Sequence, residues 1–167
     1  MNRNFDLKIH RAIEISIKTA IEIYITKPAK AKMSESNKAN DMVHIAAIRR
    51  YLRAATKFID NVSFDEFAQD EEKQYAVAHA IEQAGEHVKK LSESFRVGAS
   101  SIEWKKIAGM RDYIVHNYEG MDLEILYLSV TKDSKRVIEI LTEYIDKNKN
   151  SYADTLLDFT RINRPID

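Results

Sequence analysis

Between Asp41 and Ile145 apolar side chains return every three or four residues, the period of helices that bury one face. Ile48, Leu52, Ala55, Ile59 and Val62 form a first stripe, widened by Tyr51 and Phe58. Ser63 to Glu66 (SFDE) reads as a capping box that starts a short turn of helix. Asp70 can cap the next long helix, whose stripe runs Val77, Ala80 or Ile81, Ala84, Val88, Leu91 and Phe95. VGASS (97–101) reads as a loop, and Ser100 to Glu103 as a second capping box opening a helix with Trp104, Ile107, Met110 and Ile114. Glu119-Gly120 ends that helix. Asp122 then caps a last long one through Leu126, Val130, Val137, Leu141 and Ile145.

The two ends of the chain are patterned differently. Ile13, Ile15, Ile17, Ile21, Ile23 and Ile25 alternate as in a strand, whereas Ile13, Ile17, Ala20 and Tyr24 fit a helix. A lone strand would have no pairing partner in this chain, which favours helix. Pro28 and the Lys-, Ser- and Asn-rich stretch after it read as a linker. From Lys147 the chain is polar, apart from a patch at Leu156, Leu157 and Phe159. The expected organisation is an N-terminal extension and linker (1–40), a helical bundle (41–146) and a C-terminal tail (147–167), without internal repeats. The fold class is all-α: an up-down bundle of four main helices with a short extra helix.

Composition agrees with this and removes several functions. Only 4 Gly and 2 Pro are present, too few for the turns of an all-β domain. With no Cys, the chain has neither disulfides nor thiol nucleophiles nor Cys-based zinc sites. Apolar runs are too short to cross a bilayer, and Met1 to Ile25 is too interrupted by Lys, Arg and Glu for a signal peptide, so the expected location is cytoplasmic, with no membrane partner. A formal net charge of zero argues against a dedicated duplex-DNA binder and leaves nucleic-acid contact to a local patch. Lys89, Lys90, Arg96, Lys105 and Lys106 are candidates for such a patch, although helix-surface lysines usually serve solubility. Trp104 could stack on a base, but a single Trp opening an amphipathic helix is more often a core anchor. His79, Glu82 and Glu86 share a helical face without matching ligands on a facing helix, so no metal is expected.

The segment richest in chemistry is GMRDYIVHNYEG, residues 109–120. At about 100° per residue, Ile107, Met110, Ile114 and Tyr118 face the core. His116 falls opposite them, beside Asp112, Gly109 and Ala108, which is a poor place for a core histidine. Arg111 lies at the edge of the stripe, about 140° from His116 around the axis. Ala108 and Gly109 leave room for a second backbone or a ligand. An Arg and a His together suit RNA cleavage without a metal, since imidazole can take a proton from a ribose 2′-hydroxyl and guanidinium can stabilise charge on phosphate. The spacing alone is common in helices and would equally fit a surface Arg and His.

RDYIVHNY resembles the Arg-x4-His-x-Tyr motif of HepT-like HEPN proteins, with Arg111, His116 and Tyr118 in register. SFDEF (63–67), AIEQAGEHVKKLS (80–92), IEWKKIAGMRDYIVHNY (102–118) and the MDLEILYLSV that follows are similar as well. The resemblance covers roughly residues 41–146. It implies a HEPN-like bundle that acts as a homodimeric, metal-independent endoribonuclease without a cofactor, the two motifs meeting at the dimer interface. Such a protein is the toxin of a type VII-like toxin–antitoxin module and cleaves RNA, with tRNA and mRNA as candidate substrates. By the same resemblance His116 is the general base or acid, Arg111 the phosphate binder, and Asn117 a residue orienting the phosphate or His116. Asp112 stands where many members carry another polar residue, often Asn. It could hold one His116 tautomer across a helical turn, yet its charge would repel phosphate. Glu86 is a supporting candidate from the neighbouring helix. The partner implied is a minimal nucleotidyltransferase (MntA-like) antitoxin that transfers AMP to the motif tyrosine, here Tyr118, which would block RNA by charge and bulk. A plain core or rim tyrosine is the alternative for Tyr118. For the whole chain the alternative is a non-catalytic binding or scaffold subunit of a nucleotidyltransferase complex.

Overall fold

A computed structural model describes residues 35–117 and 120–162, and these are helices and turns throughout. The expectations for residues 1–34 and for Tyr118 lie outside the described residues. Helix α1 spans Glu35–Phe58, so it starts ahead of Asp41 and takes in part of the stretch that reads as linker. It buries Met42, Ile45, Ala46, Ile48, Leu52 and Ala55. After it, Asn61 takes a left-handed conformation (φ 56°), which Asn tolerates better than most residues, and turns the chain. The short α2 (Phe64–Ala68) is held by the expected box: the Glu66 N–H donates to Ser63 Oγ, and the Ser63 N–H donates to Glu66 Oε2 at 2.8 Å. Phe67, fully buried, anchors it.

Asp70 caps α3 (Glu71–Lys89), as its position predicts, by accepting from the Lys73 N–H at 3.0 Å. Helix α3 packs chiefly on α1 and α5, burying Val77, Ala78, Ala80, Ile81, Ala84, Gly85 and Val88. Four of those seven are Ala or Gly, so the helix axes can come close. Leu91 and Phe95 are buried but do not continue α3; a new helix, α4 (Glu93–Gly98), begins at Ser92. The cause is a long-range contact. Asp41 on α1, 2% exposed, accepts from the Ser92 N–H at 2.7 Å and from Ser92 Oγ at 2.6 Å, which holds Ser92 extended as an N-cap. A buried carboxylate is tolerable only when donors of this kind surround it.

The Ser100–Glu103 capping box does not form. Helix α5 (Trp104–His116) starts at Glu103, which makes no side-chain cap bond. Ile102 and Trp104 are both buried, and the Trp104 indole N–H donates to the Ala99 carbonyl at 3.1 Å. Those two anchors fix the turn and leave Ser100 in solvent. Trp104 is thus the core anchor rather than a base platform, packed against Phe95. The α5 helix closes at Asn117, sooner than Glu119-Gly120.

Asp122 caps α6 (Leu123–Leu128) through the N–H groups of Glu124 and Ile125. A π-helical stretch, Ser129–Ser134, joins it to α7 (Lys135–Asn148), so the predicted last helix is a composite. Within that stretch Ser134 Oγ donates to the Ser129 carbonyl at 3.1 Å, a side-chain bond over the five-residue step of a π turn. The tail that reads as polar carries a further helix, α8 (Ala153–Ile162). Tyr152, Leu156 and Phe159 pack it on the core while Leu157 stays 53% exposed. The four main helices are therefore α1, α3, α5 and the α6–α7 composite, in an all-α bundle. No helix among the described residues is long and apolar enough to cross a membrane.

Candidate functional site

Two helices build the site, and one glycine sets how close they come. A Cβ on Gly85 of α3 would lie 2.3 Å from Arg111 Cβ and 3.0 Å from the Ile107 carbonyl oxygen. The motif helix α5 therefore crosses α3 directly over Gly85, with Arg111 at the crossing. Gly in a helix interior costs up to about 1 kcal/mol relative to Ala, so its presence mid-helix is the sequence signal of this approach. Ile114 is buried, with Ile107 and Met110 packed against the core, as the stripe predicts. Ala108 is half-buried against the same core rather than open, whereas Gly109 faces open space.

The crossing leaves the Arg111 side chain 25% exposed, with its Nε–H buried and without an acceptor among the described residues. Its two Nη groups reach carboxylates instead. Nη1 donates to Asp112 Oδ1 at 3.0 Å, and Nη2 lies 3.5 Å from Glu86 Oε2 on α3. Lys89, one helical turn beyond Gly85, donates to the same Asp112 oxygen, and Lys90 sits 3.4 Å from Glu86. An alternating chain results: Lys90, Glu86, Arg111, Asp112, Lys89. The Lys89 and Arg111 hydrogen bonds hold the Asp112 carboxyl below the usual carboxylate range.

Asp112 thus turns toward Lys89 and Arg111 and not toward His116, which corrects the expectation that it fixes the histidine tautomer. Asn117 also has another partner. Its Nδ2 donates to the Tyr113 carbonyl at 3.0 Å and its backbone N–H to the same oxygen, closing α5. His116 is exposed at the last position of α5 and makes no hydrogen bond among the described residues. Tyr113 accepts the Asp122 N–H on its hydroxyl at 2.9 Å, pinning the segment after the motif to α5. Arg111, Asp112 and Glu86 are brought together, and His116 stands apart from them at the last position of the same helix.

The five cations proposed as a basic patch are largely compensated: Lys89 by Asp112, Lys90 by Glu86, Lys106 by Glu103 at 2.6 Å. His79 is exposed, and the described residues hold no group of three potential metal ligands. A second histidine cluster, which the sequence does not advertise, lies at the α1–α3 seam. His44 and His87 face each other with Nδ1 atoms 2.9 Å apart, and Tyr51 stacks on His87. Burial, the facing His44 and Lys90 push the His87 imidazole down to about 4, against a smaller opposing pull from Glu86.

The family profile described as "Ribonuclease HepT-like" matches residues 48–145, from the middle of α1 into the last turn of α7. The chain belongs to the HepT-like ribonuclease family. Among proteins similar to this HepT-like chain, "Putative RNase MJ0127" of Methanocaldococcus jannaschii is 35% identical over 98 residues, covering 56% of this chain and 81% of that protein. "Putative RNase TTE0752" of Caldanaerobacter subterraneus subsp. tengcongensis is 33% identical over 91 residues, covering 54% and 81%. "Probable ribonuclease HepT" of Thermococcus cleftensis is 30% identical over 90 residues, covering 54% and 82%. No solved structure matches the HepT-like chain.

Proposed function

We propose that this HepT-like protein is a metal-independent endoribonuclease, with His116 and Arg111 as its catalytic residues. The observation that carries the reading is their setting in a chain of a ribonuclease family: Arg111 locked at a helix crossing, and at the end of the same helix an exposed imidazole that makes no hydrogen bond among the described residues. In the reaction a ribose 2′-oxygen attacks the adjacent phosphorus as His116 takes its proton. The P–O5′ bond breaks, and the departing 5′-oxygen receives a proton from an imidazolium, leaving a 2′,3′-cyclic phosphate and a 5′-hydroxyl. Arg111 stabilises the charge that builds on the phosphate. Two copies related by a twofold axis bring two motifs to one seam, where the outer face of α5 offers open space at Gly109. With purified protein and single-stranded RNA, His116→Ala lowers cleavage by at least about 100-fold; undiminished cleavage by that variant would remove His116 from the mechanism.

The biological setting we propose is a cytoplasmic toxin neutralised by a nucleotidyltransferase antitoxin that adds AMP to Tyr118, two residues from His116. AMP there adds a phosphate and a nucleoside within the motif and bars RNA by charge and bulk. Tyr118→Phe then leaves toxicity intact and abolishes protection by the antitoxin in a growth assay, whereas continued protection sinks the modification. The non-catalytic subunit is the second reading, favoured by one observation: Arg111 already contacts two carboxylates. A parent protein that binds the transferase but cleaves no RNA would select it.

A further inference from the structure

Two cations from different helices converge on one oxygen. Lys89 at the end of α3 and Arg111 on α5 both donate to Oδ1 of Asp112. An oxygen that accepts from a guanidinium and an ammonium at once is chemically a stand-in for a phosphate oxygen, which is what such a pair of donors recognises. We propose that Asp112 occupies, in the free protein, the place of a substrate phosphate, and that Lys89 is a second phosphate-binding residue, available once RNA displaces that carboxylate. The inference rests on the ribonuclease reading above and adds to it a residue and a competing anion.

Several features make the exchange feasible. The Asp112 side chain is 46% exposed and that of Lys89 38%, so the pair lies at the surface, where ion pairs contribute little and water can take over a released carboxylate. Glu86 is only loosely placed against Arg111, at 3.5 Å, and shares its charge with Lys90. It steadies the guanidinium without closing the site. With Asp112 rotated into solvent, Lys89 is left beside Arg111, whose Cβ is set by the Gly85 crossing. A phosphodiester brings a full negative charge and two free oxygens to that pair, and Asp112 is then also removed from the incoming anion. Repulsion between Asp112 and substrate, a puzzle if the residue stays still, becomes a gate with a defined closed position.

The test uses the full chain in a His116→Ala background, so that RNA is bound but not cut, and a fluorescent single-stranded oligoribonucleotide titrated across a salt series. Loss of one phosphate contact lowers the slope of log affinity against log salt by about 0.7. Lys89→Gln is expected to weaken binding severalfold with that drop in slope, Lys89→Arg to restore both, and Asp112→Asn to tighten binding. If the Lys89–Asp112 pair only braces α3 against α5, Lys89→Gln and Asp112→Asn break the same contact and shift binding in the same direction. That parallel shift, or an unchanged slope in Lys89→Gln, overturns the proposal and leaves the nuclease reading standing. A folded His116→Ala chain that binds no RNA at all overturns both.

Discussion

The histidine pair at the α1–α3 seam makes the fold sensitive to acid. Burial, His44 and Lys90 hold the His87 imidazole at about 4 while an unfolded chain titrates near 6.5. Between those values the unfolded chain binds a proton that the folded one refuses, so acid favours unfolding. Stability is fully present above pH 6.5 and falls as pH drops toward 4. His44, also lowered by burial, with Lys90 lowering it further and Asp41 opposing, adds to the same trend. Thermal unfolding followed at several pH values should show this decline, and His87→Gln, which keeps a partner for His44, should flatten it. An equally steep decline in the variant would place the acid sensitivity elsewhere.

At the scale of helices, the decisive contact is the passage of α5 over Gly85. Any side chain at that position must push the motif helix away, since Arg111 Cβ and the Ile107 carbonyl are fixed parts of α5. Gly85→Ala is expected to destabilise the fold by roughly 1–3 kcal/mol and, because the displaced atom belongs to Arg111, to depress RNA cleavage more than the stability loss explains. Chemical denaturation and cleavage by the folded variant, measured together, check this; unchanged cleavage would mean that the crossing does not position Arg111. Helices and caps that depend on neighbours in sequence were legible beforehand: the Ser63 box, the Asp70 and Asp122 caps, and the stripes of α1, α3 and α5. Features set by distant residues were not. Ser92 caps α4 because Asp41 reaches it from α1, and Ser100 fails as a cap because Ile102 and Trp104 are drawn into the core. Helix α8 reads in the sequence only as an apolar patch at Leu156, Leu157 and Phe159, because the polar residues around it dilute the Tyr152, Leu156 and Phe159 face that packs on the core. Asp112 follows the same logic. Its sequence neighbours suggest His116 as a partner, and its partner on α3 is Lys89.

For the molecule as a whole, a net charge of zero conceals a local arrangement in which each site cation has an acid beside it. A protein so balanced would attract RNA weakly from afar, and under the proposed exchange its site cations trade internal partners for phosphates on contact. Family membership and the all-α bundle set the frame; the chemistry proposed within it comes down to two side chains on one helix. The most direct measurement is cleavage of single-stranded RNA by the purified full chain, with chelator present, beside His116→Ala and Arg111→Ala variants shown to be folded. Fragments ending in a cyclic phosphate from the parent, and a loss of at least about 100-fold in His116→Ala, are the predicted result. Cleavage that persists in both variants, or that chelator abolishes in the parent, would contradict the account.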